Sequence, residues 1–142
     1  MGPDAPVVRL GSKIFAEQYI LAEMYAALIR GNTALAVQTK TGLGGTTICF
    51  DALRDGAIDM YPEYTGTGLL VLLQPTPAVV DSLGGRPDAV LHYVRGEVRR
   101  RYHLEWLAPL GFNNTYALLM RQRQAQQLGI NSVSELSGYL AK

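Results

Sequence analysis

The chain has 142 residues, 48% of them apolar, a net charge of +1 and one cysteine. That length and apolar share fit one domain, or one lobe of a larger protein, with a proper core, and exclude wholesale disorder. The near-neutral charge argues against a nucleic-acid binder that relies on a broad basic field.

The opening Met1-Gly2-Pro3-Asp4 does not read as a native beginning, so the lack of a visible export signal excludes nothing. No apolar run approaches the ~20 residues that span a bilayer. Residues 7–10 form a β-branched run ending at Gly11-Ser12, a first strand. A helix over 15–30 follows, with Leu21, Met24, Tyr25 and Leu28 on its core face and Gly31-Asn32 as its stop. Residues 34–41 alternate as a second strand. The glycine-rich loop Gly42-Leu43-Gly44-Gly45-Thr46-Thr47 then opens a helix to about Arg54. Such a turn can offer backbone N–H groups to an anion. It lacks the lysine of a phosphate-binding loop and the spacing of a dinucleotide fingerprint, so a tight packing turn is the preferred reading. Cys49 lies in the apolar run after it and reads as a buried structural thiol.

Residues 57–61 read as a third strand running into Asp59-Met-Tyr-Pro-Glu-Tyr-Thr-Gly-Thr-Gly68. That stretch is too polar for a core strand and too aromatic for a plain loop. Pro62 ends the strand, and Gly66 and Gly68 permit a tight turn or a close approach. A short apolar helix is expected over 67–73, a proline- and glycine-containing connection over 75–86, and a helix over 87–102 with Val90, Leu91, Val94 and Val98 inward. Its Arg95 and Arg99 to Arg101 make a solvated face. Residues 104–107, with the only tryptophan, Trp106, are extended; 111–114 turn; 115–120 form another strand; 122–128 make a helical turn. Ser132-Val133-Ser134-Glu135 is a capping box for a helix running to Lys142. Strand, helix, strand, helix, strand predicts an α/β fold, a parallel sheet layered between helices on both faces. Ligands in such sheets bind beyond the carboxyl ends of the strands, where Gly11 to Lys13, the glycine loop and Tyr61 to Gly68 converge.

Catalytic sets are absent from the pattern. His92 and His103 lie in or after the arginine-rich helix without partners for acid–base or triad chemistry. No cluster has metal-ligand spacing, and no cofactor is implied. Asp59 and Glu63 are weighed as a carboxylate pair and read as structural. What remains is aromatic and polar: Lys13, Tyr61, Tyr64, Thr67, Asn114 and Tyr116. Tyrosine faces lining a cleft attract a cation through the ring quadrupole, although tyrosines are also ordinary half-buried core residues.

Four stretches occur in order: Gly11-Ser12-Lys13-x-Phe15-x-Glu17-Gln18, Gly42-Leu43-Gly44-Gly45-Thr46, Asp59-x-Tyr61-Pro62-Glu63-Tyr64-Thr65-Gly66-Thr67-Gly68 and Gly111-Phe112-Asn113-Asn114-Thr115-Tyr116-Ala117-Leu118. Together they resemble the substrate-binding proteins of ABC importers for glycine betaine, choline and related osmoprotectants. The resemblance runs from Val7 to about Lys142 and implies a two-lobed periplasmic-binding-protein fold of type II, outside the cytoplasm and docking on a membrane permease. By it, residues 1–114 are the first lobe and 115–142 the crossover strand and start of a second. The implied ligand is a quaternary ammonium compound in an aromatic box. Tyr64 and Tyr116 belong to the box, Thr67 and Lys13 hold the ligand's carboxylate side, and Asn114 lines the cleft. Tyr61, facing away from Tyr64 in an extended chain, is left out of it. With the second lobe's aromatic residues missing, this chain is expected to bind weakly or undetectably alone and to pair as a homodimer by exchanging the tail from Thr115. The rivals are a binding protein or sensor for another zwitterionic betaine, and a phosphate-binding enzyme domain built on the glycine loop.

Overall fold

In a computed structural model of the chain, which describes residues 6–141, strand β1 (Val7–Lys13) lies parallel to β2 (Ala36–Gly44), and helix α1 (Ala16–Asn32) makes the crossover between them. The start at Met1 to Asp4, and Lys142, lie outside the described residues. The chain divides into two compact units, Met1–Ala108 and Pro109–Lys142.

Both strands run past their expected ends, to Lys13 instead of Leu10 and to Gly44 instead of Thr41. Gly11 does not end β1, because its role is close approach. A β-carbon there would lie 2.6 Å from Ile58 Cδ1 and 3.3 Å from Leu43 Cδ1. Leu10, the preceding residue, points to the other face, where it packs with Ala22 and Ala26 of α1 and with Val37 and Met60. Both faces of the sheet are therefore covered.

Helix α1 turns a different face inward from the one that side-chain size predicts. Leu21, Ala22 and Ala26 are buried, Tyr25 is half-buried, and Met24 and Leu28 are exposed. Two alanines one turn apart let the helix axis approach the sheet closely, and the larger residues beside them are turned out. Gly31 and Asn32 stay helical. Thr33 stops the helix, its N–H and hydroxyl both donating to the Ile29 carbonyl, at 3.0 and 2.8 Å.

The third strand does not form. Residues 57–61 make one bridge, Leu10 to Met60, with Asp59 N–H donating to Arg9 O at 2.7 Å and Gly11 N–H to Met60 O at 2.8 Å. The ladder stops because the Asp59 carboxylate takes the backbone N–H of Arg9, at 2.7 Å, and because Pro62 has no N–H to give.

Helix α2 (Thr46–Arg54) follows the glycine loop. The expected apolar helix is instead a single turn, α3 (Thr65–Thr67), running into a π-helical segment, Gly68–Leu73. The expected 75–86 connection holds a helix, α4 (Pro77–Leu83), and α5 (Pro87–Tyr102) has the predicted bounds. Leu69 and Leu73 of the π segment form a core with Val94 and Val98 of α5, covered by Leu83, Val90, Tyr102 and Trp106. The wide turn is held at its end. Gln74 takes a left-handed φ of 45°, its N–H donates to Leu69 O at 3.0 Å, and Arg101 Nη1 donates to Leu73 O at 3.2 Å.

In the second unit, residues 112–120 have no regular secondary structure, so the strand expected over 115–120 is absent. Helix α6 (Gln122–Leu128) has the bounds expected of the helical turn, and α7 (Val133–Leu140) ends short of Lys142. The capping box forms in modified shape: Ser132 Oγ accepts Glu135 N–H at 3.2 Å, and the Glu135 carboxylate reaches back to Asn131 N–H at 2.6 Å. Among the described residues no helix is long and apolar enough to cross a membrane.

Gly68 is helical, with φ −55° and ψ −45°, so its glycine is required by packing and not by backbone shape. An added β-carbon would lie 2.7 Å from Trp106 Cη2 and 3.0 Å from Val94 Cγ1. Gly68→Ala is therefore expected to lower stability by about 1–3 kcal/mol, as overpacking does, read as a lower urea midpoint together with a shifted Trp106 emission.

Candidate functional site

The end of β1 sets the site. Lys13 is fully buried, and a buried ammonium needs a partner. Its Nζ donates to Glu63 Oε1 at 2.5 Å and to Thr46 Oγ1, at the start of α2, at 3.4 Å. The two side chains of the pair are 3% and 5% exposed. Glu63 Oε1 also accepts the N–H of Tyr64 at 2.9 Å, and Oε2 accepts the Tyr61 hydroxyl at 3.2 Å. Burial, and then the neighbouring carboxylate, push the Tyr61 phenol well above its ordinary range.

Tyr64 stands at the N-cap of α3 in extended conformation and is half-buried. Its hydroxyl donates to Glu17 Oε1 at 2.8 Å and accepts from Gln18 Nε2 at 3.3 Å, both from the first turn of α1. Gln18, itself buried, accepts the backbone N–H of Lys13 at 3.4 Å. The Lys13 ammonium lies over the Tyr64 ring, 5.0 Å from its centroid. The ring is thus held at its backbone, its hydroxyl and one face by groups from β1, α1 and its own turn.

The carboxylates weighed as a pair are separated by their cations. Asp59 pairs with Arg9, whose Nη2 and Nε donate at 2.7 and 3.0 Å while Nη1 reaches Gly56 O at 2.6 Å. Glu63 pairs with Lys13. The Tyr61 hydroxyl donates to Glu63, and the Tyr64 hydroxyl meets Glu17 and Gln18 of α1.

Of the expected site residues, the structure brings Lys13 and Tyr64 together and leaves Thr67 one turn on, half-buried, at the end of α3. The ammonium of Lys13 is used on Glu63. Asn114 and Tyr116 belong to the second unit, where both are exposed. Sequence reasoning gave no role to Glu17, Gln18 or Thr46, although all three stood inside its motifs. The missing signal was contact, since Glu17 and Gln18 meet Tyr64 across 46–47 positions of chain. The glycine loop behaves as a packing turn. Gly42 and Gly44 have φ of 70° and 151°, and Gly42 N–H donates to Ser12 Oγ at 3.0 Å. Cys49 is buried, and burial pushes its thiol up. Among the described residues no group of histidine, cysteine and carboxylate side chains could hold a metal.

Residues 6–141 match the family described as the substrate binding domain of ABC-type glycine betaine transport systems. The chain is 37% identical over 139 residues to the glycine-betaine-binding protein of Pseudomonas aeruginosa, covering 97% of this chain and 42% of that one. It is 30% identical over 136 residues to the carnitine transport binding protein OpuCC of Listeria monocytogenes, covering 95% and 42%. Among solved structures, apo YehZ from Escherichia coli superposes with a TM-score of 0.71 at 28% identity, over 97% of this chain and 47% of that one. The chain therefore spans less than half the length of these relatives.

The Arg9 guanidinium, chiefly through its hydrogen bonds, holds the Asp59 carboxyl below its ordinary 3.8. A lowered folded-state value stabilises the fold above the unfolded-state value, and that contribution is lost as pH falls through the folded one. Asp59→Asn is expected to flatten this acid limb, so that the variant and the parent converge in urea midpoint as pH drops below 3.8.

Proposed function

The chain belongs to the family of substrate-binding domains of ABC-type glycine betaine transport systems, and from that premise we propose that it is the ligand-capturing lobe of an importer's solute-binding component. It takes a quaternary ammonium compound such as glycine betaine or choline outside the cytoplasm and delivers it to a membrane permease, making and breaking no covalent bond. The observation that supports this best is the Tyr64 ring, fixed before any ligand arrives by Glu17, Gln18 and Glu63. A preorganised aromatic face loses little freedom on binding and attracts a cation that has no proton to donate.

In this reading Tyr64 faces the ammonium from this lobe, Tyr116 joins the box, Thr67 takes the ligand's carboxylate side and Asn114 lines the cleft. Lys13, sequestered against Glu63, backs the ring in place of the direct carboxylate contact expected from sequence. Residues 1–114 serve as the first lobe and 115–142 as the passage to a second. We extend the reading to a homodimer. Residues 112–120 lie outside regular secondary structure and expose Phe112, Tyr116, Leu118 and Leu119, a surface that a second copy would cover by exchanging tails.

Half a box leaves a ligand facing water, where one ring contributes about 0.5–1 kcal/mol, so this chain alone is expected to bind betaine and choline weakly. An NMR titration measures this. Tyr64→Ala should remove the response, and in a complete box should weaken binding tens-fold, about 2 kcal/mol. Unchanged affinity in Tyr64→Ala takes Tyr64 out of the site, and a submicromolar Kd for this chain contradicts the half-box. Light scattering should give the mass of a dimer, and deletion of the residues after Asn113 should abolish it; a monodisperse monomer at high micromolar concentration rules the exchange out.

A further inference from the structure

Lys13 presents a problem for a site that takes a cation. Its ammonium already lies over Tyr64, 5.0 Å from the ring centroid. A ligand ammonium on the opposite face would sit roughly 10 Å from it. At an effective dielectric constant of ~20–40, the repulsion costs about four- to fifteenfold in affinity. That is comparable to the roughly two- to thirtyfold that a ring face contributes. Left uncompensated, Lys13 would cancel the attraction of the ring it supports.

We infer that Glu63 is the internal counter-ion of the site: by neutralising Lys13 it keeps the Tyr64 face attractive to a cationic ligand. The inference rests on the ligand reading above and goes beyond it by assigning a specificity-determining role to a residue that acts through Lys13. Glu63 is placed for this. Its Oε1 is 2.5 Å from Nζ, both side chains are almost fully buried, and the same oxygen accepts Tyr64 N–H at 2.9 Å, so charge and ring position share one atom. The pair is a short dipole whose field falls off faster than that of a lone ammonium. Folding stability alone does not account for it, because well-packed apolar residues commonly match a buried ion pair in stability. The other charged group at the ring, Glu17, meets the hydroxyl end and leaves the face to Lys13.

The test compares choline with 3,3-dimethylbutan-1-ol, its uncharged isostere, by NMR titration of this chain at pH 6. The ratio of the two dissociation constants reads the preference for charge and is insensitive to a general loss of fit. Glu63→Gln leaves Lys13 uncompensated and should lower the preference about fivefold. Lys13→Met leaves the carboxylate and should raise it. Lys13→Met/Glu63→Gln, with neither charge, should return to within about twofold of the parent. If the single variants do not fold, Lys13→Glu/Glu63→Lys keeps a neutral buried pair with its dipole reversed, and should raise the preference. A pair that only supports the fold would weaken both probes together and leave the ratio unmoved, in the single variants or the reversed pair, and that result overturns the inference alone. A parent chain that does not bind choline at tens of millimolar overturns the ligand reading and the inference with it.

Discussion

The buried contact between Lys13 and Glu63 is the constraint on which the site depends. It joins the end of β1 to a turn about fifty positions later, and through Thr46 it also engages the first residue of α2. Neither charge reaches water, so each needs the other, and the backbone carrying them has little freedom to move. Tyr64 is tied to this contact at its amide through Glu63 and at its ring face through Lys13, and the neighbouring Tyr61 through the second carboxylate oxygen.

A second ion pair frames the same stretch of chain. Arg9 grips Asp59, and Lys13 grips Glu63, so both ends of the Asp59 to Glu63 segment are tied to one strand by side chains. Pro62 lies between them. Two discrete clamps stand where the ladder hydrogen bonds of a third strand would have been. Tyr61 reaches Glu63, and Tyr64 starts a new helix.

Sequence patterns carried much of this architecture. A β-branched run located the first strand and an alternating pattern the second, Pro87 and the valines at helical spacing gave α5 its bounds, and Ser132 marked the start of α7. Family motifs singled out Lys13 and Tyr64. Less legible was anything decided by closeness. The core face of α1 is chosen by Ala22 and Ala26, which no rule favouring large apolar side chains would select over Met24 and Leu28. Gly11 reads as the end of a strand and Gly68 as a tight turn or a close approach to a ligand, and both are contact surfaces within the protein, for Ile58 and Trp106. Asp59 and Glu63 looked like partners because they are near in sequence; their real partners, Arg9 and Lys13, are distant in sequence and near in space. Local propensity does not see a cation fifty residues away.

The π-helical segment Gly68–Leu73 sets the angular phase between site and core. A π turn holds an extra residue relative to an α turn, and such turns commonly mark functional positions. Closing the same residues into regular α-helix would rotate what precedes them by roughly 100° about the axis. Leu69 and Leu73 are fixed by their packing on α5, so the rotation would fall on Thr67 and Tyr64. The width of this one turn is therefore a coarse dial: a change between π and α winding can swing the lining of the site in one step while leaving the hydrophobic sequence of the core intact.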